Sequence, residues 1–321
     1  MRKLTAVFTT LLVLIIHFTT VAQQEAQYTQ FSYNNMLLNP GFAGARRIPS
    51  ATALYRNQWM GYEGHPTSFL ASFDTPLKKS RLGAGMTVSH QQEGIVYRDF
   101  ANLALNYDVM HTEDVTFRIG MSGNVKKYRF DLQDPQIYVK NPGDSYLAQE
   151  SPFLLKTNIG MGIYFDMKSF YVGLSCPNLI KNPIELNKKH TYDPYSAEQR
   201  HAYLQAGGFF RLGSESFHLK PSVMVKYVKN APLSADLNLG LMYNRTFLLA
   251  GAFRTGNSKY GGSDAFSVMG FFQADDQLGI GAAYDFTLSE IKNVSSGSVE
   301  VLLRYDFIKN KKILHNPRYF F

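Results

Sequence analysis

The chain has 321 residues, a formal net charge of +8, 24 Phe and 20 Tyr against a single Trp, and one cysteine. A lone Cys176 excludes an intrachain disulfide framework. The basic residues are scattered, several in turns such as Pro76-Leu77-Lys78-Lys79, so solvated turns and an acidic lipopolysaccharide neighbourhood account for the charge better than a nucleic-acid groove.

Met1-Arg2-Lys3 is a basic head, Leu4 to Phe18 is apolar, and Thr20-Val21-Ala22 offers small residues to a signal peptidase. Residues 1–22 therefore read as a signal peptide cleaved between Ala22 and Gln23, with no lipobox cysteine following. Residues 23–49 read as a periplasmic N-terminal segment. Its stretch from Gln27 to Gly44 is polar and aromatic, and Asn39-Pro40 interrupts any regular element.

From there the chain alternates. Leu82, Ala84, Met86 and Val88 oppose Gly83, Gly85, Thr87 and Ser89; Leu103, Leu105, Tyr107 and Val109 oppose Asn102, Ala104, Asn106 and Asp108. Side chains change face at every strand residue, so each such segment has one oily and one wet face. About fourteen segments follow this rule. They fall near 50–59, 67–74, 81–90, 95–109, 116–130, 153–165, 170–175, 200–212, 217–228, 233–243, 247–254, 265–273, 278–286 and 298–307. Several reach the roughly nine to eleven residues that cross a membrane at a tilt, longer than the strands of a soluble β-sandwich. Aromatics at strand ends, among them Tyr55, Trp59, Tyr97, Tyr107, Phe153, Phe165 and Phe307, suit an interfacial girdle.

The connections alternate too. The even-numbered ones are tight and the long ones, such as 131–152 and 176–199, are all odd-numbered, although 91–94 and 229–232 are odd and short. Outer-membrane barrels have short periplasmic turns and longer outer loops. The expectation is an all-β, transmembrane antiparallel β-barrel over 50–307 with about fourteen strands and both termini periplasmic, followed by a basic tail over 308–321.

No nucleotide loop, paired-His helix, Cys-x-x-Cys or nucleophile elbow is present, so neither enzyme activity, cofactor nor metal is expected. Cys176 reads as a small residue at a strand end. The charged wet-face residues Arg98, Arg118, Asp285, Glu300, Arg304 and Asp306 have two readings: an ion or solute path, or a structural network bracing a narrow or filled barrel. Opposite charges on neighbouring strands favour the network.

Asn39-Pro40-Gly41-Phe42-Ala43-Gly44 and Tyr55-Arg56-Asn57-Gln58-Trp59 resemble the opening signature of the PorP/SprF family of Bacteroidetes membrane proteins. Tyr171 to Leu179, with Pro177-Asn178, resembles that family's mid-chain motif, with Cys176 where an aliphatic residue is common. Lys220-Pro221-Ser222, Tyr284-Asp285-Phe286, the run Gly297 to Phe307 containing Glu300, Arg304 and Asp306, and the tail Asn316 to Phe321 continue the likeness. Val299 stands where a His is usual.

The resemblance implies an outer-membrane component of a Gram-negative, Bacteroidetes-type bacterium, associated with the type IX secretion system. Its implied partners are periplasmic ring and lipoprotein components, exported cargo with a sorting domain or a gliding adhesin, and outer-membrane lipid, but no nucleic acid. The motif residues carry no chemistry to transfer. They read as turn formers (Asn39-Pro40, Pro177-Asn178), an interfacial anchor (Trp59) and a lumen pair (Arg304, Asp306). The alternative function is a porin or hydrophobic-solute channel. The tail has two equal readings, an aromatic-ended assembly signal at Phe321 or a docking segment for the secretion apparatus. Extended loop edges offer backbone pairing to a partner strand, without contact residues being identifiable.

Overall fold

The computed structural model describes residues 25, 27–77, 80–134, 153–184, 197–229, 231–255 and 265–308. The expected cleavage point at Ala22 and Gln23, the tips of the longest loops and the tail beyond Ile308 lie outside these residues.

Fifteen β segments appear in chain order: β1 Ser50–Asn57, β2 Thr67–Pro76, β3 Leu82–Glu93, β4 Val96–His111, β5 Val115–Phe130, β6 Phe153–Met167, β7 Phe170–Cys176 and β8 His201–Gly208. They continue with β9 Phe210–Arg211, β10 Phe217–Val228, β11 Ser234–Tyr243, β12 Phe247–Thr255, β13 Ala265–Gln273, β14 Leu278–Thr287 and β15 Ser298–Asp306. β8 and β9 are one barrel strand interrupted at Phe209, since both pair with β10. Phe209 turns inward there, donates its N–H to the Ser169 carbonyl at 2.8 Å and stacks on the His218 ring at 4.4 Å.

Each strand pairs antiparallel with the next, and β15 returns to β1 from Ser50↔Asp306 to Asn57↔Val299, closing a 14-stranded barrel. Closure leaves no open edge around the ring at membrane depth, which a lipid-spanning sheet requires. The alternation holds along the strands, broken at Phe209 and at the β4 register shift between Asp108 and Met110. Leu103, Leu105, Tyr107, Ile119, Met121, Ile280, Val301 and Leu303 face outward and are exposed to the surroundings, while Asn102, Asn106, Arg118, Asp285, Glu300 and Arg304 are buried inside. No helix among the described residues is long and apolar enough to cross a membrane.

One expectation is corrected. Residues 23–49 read as a periplasmic segment, but Glu25 and Gln27–Pro49 lie in the barrel, with Phe31, Tyr33, Asn35, Met36, Asn39 and Phe42 buried. The physical reason is the wet inner wall: its buried charges and amides need partners, and this polar, aromatic stretch supplies them. The segment runs in three short 3₁₀ turns, Phe31–Tyr33, Asn35–Leu37 and Pro40–Phe42. It begins beside Arg98 and Lys126 in the long-loop half and leaves beside Asp74 at the short-turn end, where it becomes β1.

Candidate functional site

The filled lumen is the most elaborated part of the molecule, and three polar layers hold the segment in it. Nearest the long loops, the carboxylate of Glu25 meets Lys126 at 2.6 Å and Arg98 at 3.4 Å and accepts from Asn178 Nδ2 at 3.3 Å. Lys126 is shared with Glu198 at 3.3 Å, and Glu198 also accepts from the Tyr128 hydroxyl at 2.6 Å and from the amides of Asn158 and Asn182. Burial pushes the Glu25 carboxyl up, but the adjacent Lys126 and Arg98 outweigh it and hold the group well below the usual carboxylate range.

In the middle layer, Glu300 accepts the N–H of Thr29 at 2.6 Å and that of Gln30 at 3.0 Å through different oxygens. The Thr29 hydroxyl donates to Asp285 at 2.7 Å. Arg56 binds both wall carboxylates, Asp285 at 2.8 Å and Glu300 at 2.5 Å, and Arg254 joins Asp236 to the cluster. Buried charges stay ionised in such a space only when paired in this manner.

At the short-turn end, Asn39 caps its own turn by accepting from Gly41 N–H at 2.9 Å and donates to the Ile163 carbonyl at 2.9 Å. Asn106 Nδ2 donates to the Ala43 carbonyl at 2.6 Å. Asp74 accepts from Gly44 N–H at 2.8 Å and pairs with Arg46 at 3.3 Å, and Arg47 reaches Thr116 at 3.0 Å. Two glycines make this approach possible. A Cβ at Gly120 of β5 would fall 2.3 Å from the Gly41 nitrogen, and Gly44 turns with φ +68°, a conformation that penalises any side chain.

Most of the family-like positions converge here. Asn39, Pro40 and Gly44 belong to the segment, and Arg56, Asn178 and Glu300 hold it. Pro177 accepts from Asn124 through its carbonyl at 3.2 Å. Arg304 pairs with Asp306 at 2.9 Å, and its guanidinium lies 5.1 Å from the Phe271 ring, itself stacked on Tyr33 at 4.6 Å. Others do not converge. Tyr55 faces outward, Asn57 ends β1 and Gln58 accepts from Arg56 at 3.4 Å. Trp59 sits half-buried in the adjoining loop with φ 54° and donates its N–H to Ser298 at 3.1 Å.

Glu25, Thr29, Arg46, Asp74, Asn106, Lys126 and Glu198 were not singled out from sequence. The available signal was the density of amides and aromatics in a stretch lacking any period. Small cavities of about 50 Å³ and about 20 Å³ lie beside the segment, and wider ones of about 220 Å³, beside Arg98 and Tyr128, and about 250 Å³, beside Gly44 and Arg118, lie toward the long-loop and short-turn ends. One water needs ~10–15 Å³ of such space, so the two small ones take at most a few solvent molecules. No group of acidic, His or Cys side chains with metal-holding geometry occurs among the described residues.

The barrel resembles solved outer-membrane structures. The Ralstonia pickettii toluene transporter TbuX aligns with TM-score 0.50 at 9% identity, over 84% of this chain and 92% of that one. The CymD monoaromatic hydrocarbon channel aligns with TM-score 0.51 at 12% identity, over 85% and 91%. At such identity the likeness is one of fold, and it agrees with an outer-membrane location. A search of curated proteins found no significant match. The family model described as type IX secretion system membrane protein PorP/SprF matches residues 20–305, nearly the whole of the polar-walled barrel and its filling segment, and the chain belongs to that family.

Proposed function

We propose that this barrel works as a non-enzymatic attachment platform of type IX secretion, holding an exported sorting-domain protein or adhesin at its long-loop end while the short-turn end faces the secretion apparatus. The observation that carries this reading is the filled lumen. A wall whose charges are spent on the chain's own N-terminal segment is braced by it, and a segment seated in the lumen supports attachment over passage of solutes. The surfaces left for recognition are then the loops and the strand ends. Family membership supports the secretion context, and the alternation of short and long connections supports the orientation.

The test has two arms. Purified protein reconstituted in a planar bilayer is expected to pass no steady current, and deletion of the gene is expected to release one exported protein from the cell surface while other outer-membrane proteins remain. Steady conductance with undisturbed surface attachment would establish the channel reading instead.

A further inference from the structure

We propose that the short-turn half of the lumen holds a binding site for one small inorganic anion, centred on the Lys220 ammonium of β10 and lying in the field of Arg46 and Arg304. The site goes beyond the attachment reading and does not depend on it.

Lys220 opens the Lys220-Pro221-Ser222 run, a family-like motif that the segment contacts above leave without a role. Even-numbered residues of β10 face the lumen, and His218, Lys220 and Ser222 are all buried there. The Lys220 ammonium lies over the Tyr33 ring at 4.2 Å, and that ring is stacked on Phe271. Among the described residues no atom accepts a hydrogen bond from Lys220 and no carboxylate pairs with it. An aromatic face offsets only part of the cost of burying an ammonium, and it leaves three N–H donors short of an acceptor.

The other lumen cations are treated differently. Arg56, Arg98, Arg118, Lys126 and Arg254 each meet at least one carboxylate. Lys220 meets none.

Its charged neighbours have its own sign. They are Arg304, on β15, and Arg46, on the N-terminal segment. Each already has its aspartate. Arg304 pairs with Asp306 at 2.9 Å, and Asp306 also accepts from the Ser50 hydroxyl at 2.7 Å. Arg46 gives Nη2 to Asp74 at 3.3 Å, and Asp74 also accepts from Gly44 N–H. That leaves Nε and Nη1 of Arg46 buried with no acceptor. Three cations therefore share one region with two committed aspartates, and a dry interior does not tolerate the surplus charge. One added negative charge balances it.

The space left describes the ion. Lys220 keeps 7% of its surface open, against 3% for Tyr33 and Arg46 and 1% for Arg304, so the gap lies against the lysine and is small. A monatomic anion suits such a gap, because it accepts N–H donors from any direction. Once bound, it quenches the repulsion between Lys220 on the wall and Arg46 on the segment. Residues 31–46 are then held more firmly against β10.

The test uses the full-length protein in detergent, dialysed into potassium chloride or potassium gluconate at equal ionic strength. Gluconate is too large for the gap. Chloride is expected to raise the thermal midpoint by a few degrees, with the saturation of a single site. It is also expected to slow amide exchange of residues 31–46 roughly tenfold at ten times its dissociation constant. Lys220→Met keeps the length of the side chain without its charge. It is expected to lose both responses while sharing any general effect of the salts on the barrel. A second measurement decides the matter if that variant fails to assemble: in crystals of the wild type with bromide in place of chloride, the anomalous signal is expected within hydrogen-bond reach of Lys220 Nζ. Equal midpoints and equal exchange in the two salts overturn the proposal; the amine is then uncharged or met by a carboxylate outside the described residues. A chloride response that persists in Lys220→Met, or bromide bound only elsewhere, overturns it too. None of these readouts involves cargo attachment, so the site and the platform stand or fall separately.

Discussion

Glu300 and Thr29, 271 positions apart in the chain, meet through a 2.6 Å hydrogen bond from the Thr29 backbone to a carboxylate that also binds Arg56 at 2.5 Å. The last strand thus grips the start of the filling segment with a group that the first strand neutralises.

Replacing Glu300 by Ala leaves Arg56 with one carboxylate instead of two and leaves two backbone N–H groups without an acceptor. Breaking a buried pair from one side costs about 3–5 kcal/mol. The expected outcome is a barrel that still assembles but whose residues 27–44 exchange amide hydrogens far faster than in the wild type, read by mass spectrometry. Protection as strong as in the wild type would mean the layer is redundant.

Gly120 and Gly123 make a matched pair on β5. A Cβ at Gly120 meets Gly41 backbone at 2.3 Å, whereas one at Gly123 meets nothing within 4 Å. Gly120→Ala is expected to unseat the 39–44 turn and lower the thermal midpoint by several degrees, equivalent to about 1–3 kcal/mol of overpacking. Gly123→Ala is expected to leave the midpoint within experimental error. Equal effects of the two would contradict the close approach.

The carboxyl of Glu25 titrates below its ordinary value of 4.5 because Lys126 and Arg98 outweigh its burial. A depressed value in the folded state means the contact contributes fully above about pH 4.5 and loses its contribution as acid takes the pH down toward the folded value. Amide exchange of residues 27–30 should therefore be independent of pH-driven release from pH 7 to 5 and rise only in stronger acid. Glu25→Gln should show the looser state at every pH. Release near neutrality would assign the docking to another group.

Orientation is open to labelling. With Cys176→Ser as background, Tyr62→Cys in the loop after β1 should react with a membrane-impermeant maleimide on intact cells. Asn244→Cys, in the tight turn between β11 and β12, should react only after the outer membrane is opened. The reverse pattern would invert the barrel and place the Glu25 layer on the periplasmic side.

Nearly all the barrel was legible because lipid tests every second residue. Outward positions of β3, β4, β5 and β15 at membrane depth must be apolar, and charge enters only toward the long-loop ends, at His90, Asp99, Lys127 and Arg129, so the alternation survives any variation in the loops. Strand limits agree with the expected ones to within a few residues, even at Phe217–Val228 and Ala265–Gln273, where they coincide. The filling segment was illegible for the opposite reason. Its order comes from contacts such as Thr29 with Glu300 and Asn106 with Ala43, which no local period records. Arg98, Arg118 and Glu300 were readable as members of a network because they sit on the wet face. Their partners Glu25, Asp108, Asp166 and Thr29 emerge only once the strands are wrapped around the segment. Where the chain goes after Pro177, inward to Asn178 and Glu25, was equally illegible, because proline in a sequence announces a turn without giving its direction.

The seam where β1 meets β15 carries Arg56 on one side and Glu300 on the other, with Thr29 clasped across it. A cylinder zipped shut around an empty bore would fill with water, and the segment would then have to be threaded in from its mouth. Biogenesis is simpler in the other order. With the 27–49 stretch already inside the curling sheet, the final hairpin would close over it, and completion of the wall would then certify that its contents are in place.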